Sequence, residues 1–241
     1  MQHHTSHGQA LWSALLLMLS VSHFTFAESP NATHERLQKS IHVLRDITTA
    51  PDDAIPEFVL ERAEAIAVVP SLIKGGFIVG AEHGNGVMSV RDPDKNTWSS
   101  PAFVSLSGGS FGAQIGLQSV DLVLVVVNRD GIEQLLKDKF TLGAHASVAA
   151  GPVGRSAKAA TDILLSAQIL AYSRTKGIFA GATLDGSTLG PDRDANEQFY
   201  GKRYDTKEIV TPEGIAPRQR SAVARQWQDT LTMLAGSRGS R

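Results

Sequence analysis

Residues Ala65 to Gly80 read AIAVVPSLIKGGFIVG, an order that is hard to explain as generic apolar core. A first apolar run ends at Pro70, and Lys74 is the one charged residue of the stretch. A glycine pair at 75–76 follows the lysine directly, and Phe77 then opens a second apolar run. This arrangement predicts a strand, a turn and another strand.

The lysine of this stretch has two interpretations. In the first, Lys74 lies beside glycine backbone with accessible N–H groups, so that a cation and several donors converge on an anion or a lipid headgroup. In the second, which local chemistry favours, the stretch is a hairpin corner and the lysine is solvated. Both interpretations place Lys74 at a corner of the fold.

The first 27 residues resemble a leader. The apolar run LWSALLLML, from Leu11 to Leu19, has the length of a signal peptide and is short for a bilayer-spanning helix. Small residues close the segment, so we expect cleavage after Ala27 and residues 1–27 to form a signal peptide. The expected location is therefore the periplasm or the exterior of the cell, with peripheral membrane association.

Composition excludes several classes of function. The chain contains no cysteine, which excludes a disulfide framework, a thiol nucleophile and a lipid-modified cysteine. The 23 basic residues against 24 acidic ones leave a net charge of −1, which argues against a protein built to bind nucleic acid. We therefore expect a cysteine-free exported protein that is stabilised by packing alone.

The N-terminal part of the predicted domain is helical. A polar linker at 28–34 leads into an amphipathic helix, with Thr33 as a candidate N-cap and Pro51 as its end. Pro56 begins a second helix, to about Glu64. The first helix either docks on a sheet, the commoner case, or lies on an anionic membrane. Its apolar stripe consists of Leu37, Ile41, Leu44 and Ile47.

From residue 65 to 183 the pattern predicts many short strands separated by turns. The turns are expected at 83–86, 92–96 and 107–110. Asp121 either caps a turn or neutralises a basic neighbour. Some glycines within this region indicate sharp coiling or close backbone packing, namely Gly112, Gly116, Gly143 and Gly151. The predicted strands cover 66–69, 76–82, 86–91, 102–106, 111–117, 121–127, 141–149, 163–173 and 177–183.

Three further helices complete the predicted architecture. One spans 131–140 with Asp130 as its cap, a short one covers 192–200, and the last runs over 217–234. The fold class is therefore α+β: a coiled antiparallel sheet or sandwich of many short strands, with helices at the N- and C-termini packing on it. The domain is expected to span 35–235, and a disordered tail to follow at 236–241.

No arrangement of residues predicts catalysis, a bound metal or a cofactor. The histidines after the leader show no H-E-x-x-H spacing, and neither G-x-S-x-G nor a phosphate-binding P-loop occurs. A cluster of acids, Asp192, Asp194 and Glu197, leaves open a hydrolase acting on envelope carbohydrate. We expect a protein that is not an enzyme.

Basic residues near glycines or on the first helix are the candidate ligand contacts. The segment from Gly151 to Lys158 is a glycine and proline turn that presents two cations to solvent. Together with the helix and the corner described above, the candidate lipid-binding residues are Arg36, Lys39, Arg45, Lys74, Arg155 and Lys158.

The order of several motifs resembles the SYLF domain family, and the resemblance extends from about Glu35 to Leu234. The motifs are AVVPSLIKGGFIVGAEHGNGVMSVRD (67–92), WSSPAF (98–103), SGGSFGAQIGLQSVDLVLVV (107–126), FTLGAHASVAAGPVGR (140–155) and YSRTKGIFAGATLDGS (172–187).

The resemblance implies a non-enzymatic module that binds acidic phospholipids, phosphoinositides in eukaryotic members, some of which also bind actin. It places lipid contact on the basic N-terminal helix, which here carries Arg36, Lys39 and Arg45. Our first hypothesis is therefore an exported domain that binds an anionic phospholipid membrane surface. The second is a protein-interaction domain with an envelope protein partner, contacted through residues 185–204, and the third is the hydrolase.

Overall fold

The computed structural model describes residues 30–49, 55–136, 140–153, 166–175, 178–181, 184, 186–211, 215 and 221–236. The predicted signal peptide (1–27), the candidate residues Arg155 and Lys158, and the tail after residue 236 lie outside the described residues.

Helices and strands follow one another in an α+β order, as predicted. The helices are α1 (Pro30–Thr49), α2 (Glu57–Glu61), α3 (Arg129–Leu135), α4 (Arg193–Tyr200), α5 (Thr206–Val210) and α6 (Ala222–Ala235). The strands are β1 (Ala65–Val90), β2 (Ala102–Val126), β3 (Phe140–Thr141), β4 (Val148–Ala150), β5 (Ile169–Thr175), β6 (Ile178–Gly181) and β7 (Thr188–Pro191).

The described strands form one curled sheet around β2. Its order is β3-β7-β2-β5-β4, with β1 paired to β2 and β6 paired to β5. All pairs are antiparallel except β4 with β5. The predicted fold class, a coiled antiparallel sheet with helices at both ends, is confirmed, with this one parallel pair as an exception.

The prediction of many short strands is wrong in the first half of the domain. β1 contains 26 residues and β2 contains 25, and the two pair from end to end as one long ribbon. The segments 83–86 and 107–110, expected to be turns, lie inside these strands, and so does the glycine pair after Lys74. The ladder of β1 with β2 continues without a register shift through both of these segments.

The ribbon folds back on itself. Lys74 and Glu82 are eight residues apart on β1, which an extended strand would separate by roughly 26 Å, yet Lys74 Nζ lies 2.9 Å from Glu82 Oε2. Register shifts, between Val69 and Leu72 and between Gly76 and Ile78, mark bulges that bend the strand. We call the residues 73–82 of β1 and the paired 108–119 of β2 the ribbon corner.

The two ends of the folded ribbon meet opposite this corner. The Arg91 amide, just after β1, donates to the carbonyl of Glu64, just before β1, at 2.7 Å. The second half of β1 packs closely on the first: a Cβ added at Gly86 would lie 2.3 Å from the carbonyl oxygen of Val68. Glycine is therefore needed here because two backbones touch, and not because the chain turns.

The sheet is buried on both faces. Alternate residues of β1, β2 and β5 point into two separate apolar clusters, one formed with α1, α2 and α6 and the other enclosed by the ribbon together with α3 and α5. The apolar stripe of α1 is at most 3% exposed, so α1 docks on the sheet, which was the commoner of its two predicted arrangements. No helix of the described residues is long and apolar enough to cross a membrane.

Some predictions about helix ends and turns are confirmed, and others are wrong. α1 begins at Pro30, so Thr33 is not its N-cap and the second half of the suggested linker is helical. Asn128, and not Asp130, caps α3 by accepting the Gly131 amide, whereas Asp192 caps α4 over the predicted segment. The turn at 92–96 is present as expected.

The close backbone contact gives a test of the folded ribbon. We expect Gly86→Ala to lower the free energy of unfolding by at least about 2 kcal/mol, because the added methyl group meets a carbonyl oxygen that cannot move aside. The control is Gly109→Ala, also inside the ribbon, whose Cβ would meet its nearest atom at 3.8 Å. Urea denaturation measures both, and equal stabilities of the two variants would contradict the close contact.

Candidate functional site

The inner side of the ribbon corner holds a buried ion pair. Glu82 is 5% exposed, and its carboxylate receives the ammonium of Lys74 at 2.9 Å and the hydroxyl of Ser187. Gly108, opposite Glu82 in the register, admits Ser187, since a Cβ there would lie 2.8 Å from the serine Oγ. Lys74 is therefore neither a solvated corner residue nor a free cation; it holds the bend of β1 together.

The outer side of the corner exposes large aliphatic side chains. Ile73 is 41% exposed and Leu117 is 80% exposed. Ile73 pairs with Ser119 while Leu117 pairs with Gly75, so the two aliphatic side chains lie diagonally on one face of the ribbon. Among the side chains whose exposure the structure describes, which leaves out 77–79 and 110–116 of the ribbon, the one other exposed large apolar residue is Met233, on α6. The corner therefore presents an apolar patch, Ile73 with Leu117, to solvent.

No pattern in the sequence predicts this apolar patch. Alternation along β1 and β2 identifies two faces, but it does not say which stretch of a face another element covers. The exposed segment could have been found only by knowing that the ribbon bends away from the helices at this point.

One of the three basic residues of α1, Arg36, is buried in the interior of the fold. Arg36 is 6% exposed, its Nη1 lies 2.8 Å from Asp192 Oδ2, and its guanidinium carbon lies 5.4 Å from the centre of the Phe103 ring. Arg36 thus ties α1 to the start of α4 and, although it is a candidate lipid-binding residue, is buried away from any membrane surface. Lys39 and Arg45 are exposed, and Lys39 has Glu35 at 3.9 Å on the next turn.

A shallow hollow connects α1 with the ribbon. It has a volume of about 180 Å³, and Lys39 and Ser71 both line it. Ser71 occupies the bulge of β1 with φ 54°, and its amide donates to Asp121 Oδ1 at 2.9 Å. Asp121 therefore caps the bulge, which is the first of its two predicted roles. It also lies opposite Arg174 in the register, but the ion pair of Arg174 is with Asp46. Ile73 follows Ser71 on the same outer face, so the hollow adjoins the apolar patch.

The acid-rich segment is engaged in local structure. Asp192 accepts the Ala195 amide at 3.1 Å in addition to its contact with Arg36, and Glu197 lies 3.5 Å from Arg203. Two of the three carboxylates considered for hydrolysis, Asp192 and Glu197, thus serve a helix cap and ion pairs.

The sequence model of the Ysc84 family, described as "Las17-binding protein actin regulator", matches residues 107–234. The match covers more than half of the 241 residues. The chain belongs to the Ysc84, or SYLF, domain family. The resemblance stated from the motifs is therefore confirmed.

Curated relatives include yeast and vertebrate proteins. The chain is 33% identical over 190 residues to Protein YSC84 of Saccharomyces cerevisiae, which is 76% of this chain and 40% of that protein. It is 36% identical over 163 residues to LAS seventeen-binding protein 3 of the same species, 66% of this chain and 35% of the relative. It is 32% identical over 196 residues to the human SH3 domain-containing YSC84-like protein 1, 79% of this chain and 57% of the relative.

The chain spans between about a third and three fifths of the length of these relatives. The names of the family and of its yeast member describe binding and regulation and no reaction. The comparisons therefore support a binding domain.

The buried ion pair gives a second test. We expect Lys74→Met to lower the free energy of unfolding by about 3 kcal/mol, because it leaves a buried carboxylate without its cation. The control Lys39→Met removes a cation from an exposed pair and should cost less than about 0.5 kcal/mol.

A second substitution separates the loss of the pair from the loss of packing. Adding Glu82→Leu to Lys74→Met should recover about half of the lost stability, because no unpaired charge then remains buried. Chemical denaturation of the three variants measures these changes in stability. A Lys74→Met protein as stable as Lys39→Met would contradict a stabilising role for the Lys74–Glu82 pair.

Proposed function

We propose that this chain is a non-enzymatic domain that binds the surface of anionic phospholipid membranes through the ribbon corner. The observation that carries the proposal is the exposed apolar patch on one face of the corner, Ile73 with Leu117. Exposed aliphatic side chains beside a cation are the means by which peripheral proteins enter the interface of a bilayer.

Magnitudes favour the corner over helix α1 as the membrane contact. Burying a leucine fully contributes about 1.5–3 kcal/mol, and Leu117 is free to enter the interface because it already faces solvent. Each basic residue near an anionic surface adds about 1 kcal/mol, which Lys39 and Arg45 supply from the exposed side of α1. The resulting association is weak, reversible and sensitive to salt.

Export from the cytoplasm is a second part of the proposed function. We infer from the apolar run Leu11 to Leu19 that residues 1–27 direct export, so that the membrane in question is reached from the periplasm or from outside the cell. Cell fractionation of the full chain and of a chain without residues 1–27 tests this: the first should leave the cytoplasm and the second should stay.

A protein partner is the second candidate function. The printed name of a relative, LAS seventeen-binding protein 3, describes the binding of another protein. Such a function predicts a stable partner in a pull-down from envelope extracts, and binding that does not depend on lipid.

Vesicle co-sedimentation tests the membrane proposal. The full chain should sediment with vesicles of phosphatidylcholine mixed with phosphatidylglycerol, and much less with phosphatidylcholine alone. Leu117→Asp should weaken binding to the anionic vesicles about tenfold or more, because it removes an apolar contact and adds a like charge.

The matched control for this substitution is Met233→Asp, which changes an apolar side chain that is 67% exposed on α6, away from the corner. It should leave vesicle binding unchanged, and thermal melts should show that both variants fold. Equal binding to neutral and anionic vesicles, binding to neither, or equal losses in both variants would overturn the proposal.

A further inference from the structure

A cavity lies at the end of the ribbon opposite the corner. It has a volume of about 340 Å³, within the range of small-molecule sites, and we call it the end cavity. Its walls come from three distant segments: the loop that joins β1 to β2, helix α3, and the C-terminal end of α5. Roughly 26 Å of strand separates Glu82 at the corner from Val90 at this cavity, so the two surfaces are distinct.

The interior wall of the end cavity is apolar and aromatic. Val90, Trp98, Ile132 and Val210 are at most 9% exposed and line it. The guanidinium of Arg91 lies 5.8 Å from the centre of the Trp98 ring. The indole N–H of Trp98 is buried and has no acceptor among the described residues, which is an unusual arrangement for a buried donor.

The rim of the end cavity is cationic. Lys95, Arg129 and Lys207 surround it, against a single carboxylate, Asp92. Arg91 also lines the cavity but is 1% exposed, so it belongs to the wall and not to the rim. The two lysines are exposed and form no ion pair with any described residue, while Arg129 has Glu64 at 3.8 Å. In a chain whose net charge is −1, this concentration of positive charge is local.

The one carboxylate is engaged in the turn that positions a rim lysine. The amides of Lys95 and Asp94 donate to Asp92 Oδ1 at 3.1 and 2.9 Å, and these bonds hold the pKa of Asp92 below its usual value. The turn therefore fixes the backbone of Lys95 at the rim.

We propose that the end cavity binds a small amphipathic anion, a phosphate or carboxylate headgroup attached to an apolar chain. The rim cations receive the oxyanion, and the wall around Trp98 receives the first part of the chain. A second cavity of about 290 Å³ shares Leu136 and Lys207 with the first and continues along Leu135 and Leu189, which gives a longer chain a path. Because the cavity offers both cations and an apolar wall, a bare anion or a neutral apolar chain should bind less tightly than an anion that carries an apolar chain.

Isothermal titration of the full chain tests this chemistry with four probes: decyl phosphate, decanoate, decanol and inorganic phosphate. The two amphiphilic anions are kept below the concentrations at which they form micelles. At least one of the two decyl anions should bind at least about tenfold more tightly than both decanol and inorganic phosphate, since loss of a charged hydrogen-bond partner or of the apolar contact each removes about that much. The preference between the two anions identifies the headgroup.

Two double variants separate this site from the membrane surface. Lys95→Gln with Lys207→Gln should weaken the decyl anion about tenfold or more and leave vesicle binding unchanged, because both positions lie at the far end of the ribbon. The second double variant, Lys39→Gln with Arg45→Gln, removes two exposed cations of α1. It should weaken vesicle binding and leave the affinity for the decyl anion unchanged. All four positions are at the surface, so the variants should fold.

Nuclear magnetic resonance places the ligand. On addition of the decyl anion the indole N–H signal of Trp98 should shift, while that of Trp227, which donates to Ser89 in the core at 2.8 Å, should stay in place. Decanol binding as tightly as the anions, phosphate binding as tightly as decyl phosphate, an unchanged affinity in the Lys95 and Lys207 variant, or a Trp98 signal that does not move would each overturn the proposal. Failure of vesicle binding alone would not touch it, since that assay reports on the corner.

Discussion

The fold depends on the bend of the β1–β2 ribbon. The bend brings backbone against backbone at Gly86 and Val68, a contact that no side chain tolerates because the obstacle is a carbonyl oxygen. It also brings Lys74 and Ser187 to the buried carboxylate of Glu82. A buried ion pair adds little net stability, but Glu82 finds both partners only in the bent ribbon, so the group selects this arrangement over a straight hairpin.

The bend also determines which surfaces are left for binding. Once the ribbon is folded, helices cover one face of the sheet and the ribbon itself encloses the other. Releasing α1 to lie on a membrane would expose its four buried aliphatic residues, which at 1.5–3 kcal/mol each amounts to about 6–12 kcal/mol. That is comparable with the entire stability of a domain, whereas Leu117 already faces solvent without any rearrangement.

The sequence predicted what local chemistry determines and missed what distant contacts determine. The α1 stripe, the short helix over 192–200 and the turn at 92–96 depend on residues within a few positions, and all three are present. Gly84 and Gly86 looked like a turn, because a missing Cβ gives the same signal whether the chain reverses or another backbone approaches. Arg36 was placed at the surface because its partner, Asp192, follows 156 residues later.

The distribution of charge supports amphipathic anions as the ligands proposed for both surfaces. Several cations of the domain are neutralised inside the fold, as in the pairs Lys74–Glu82, Arg36–Asp192 and Arg174–Asp46. The few that remain near each surface are exposed, and exposed charges act weakly across water and are screened by salt. The apolar surfaces at Leu117 and around Trp98 add burial to this weak attraction, and that combination supports an anion with an apolar chain as the ligand proposed for each end of the ribbon.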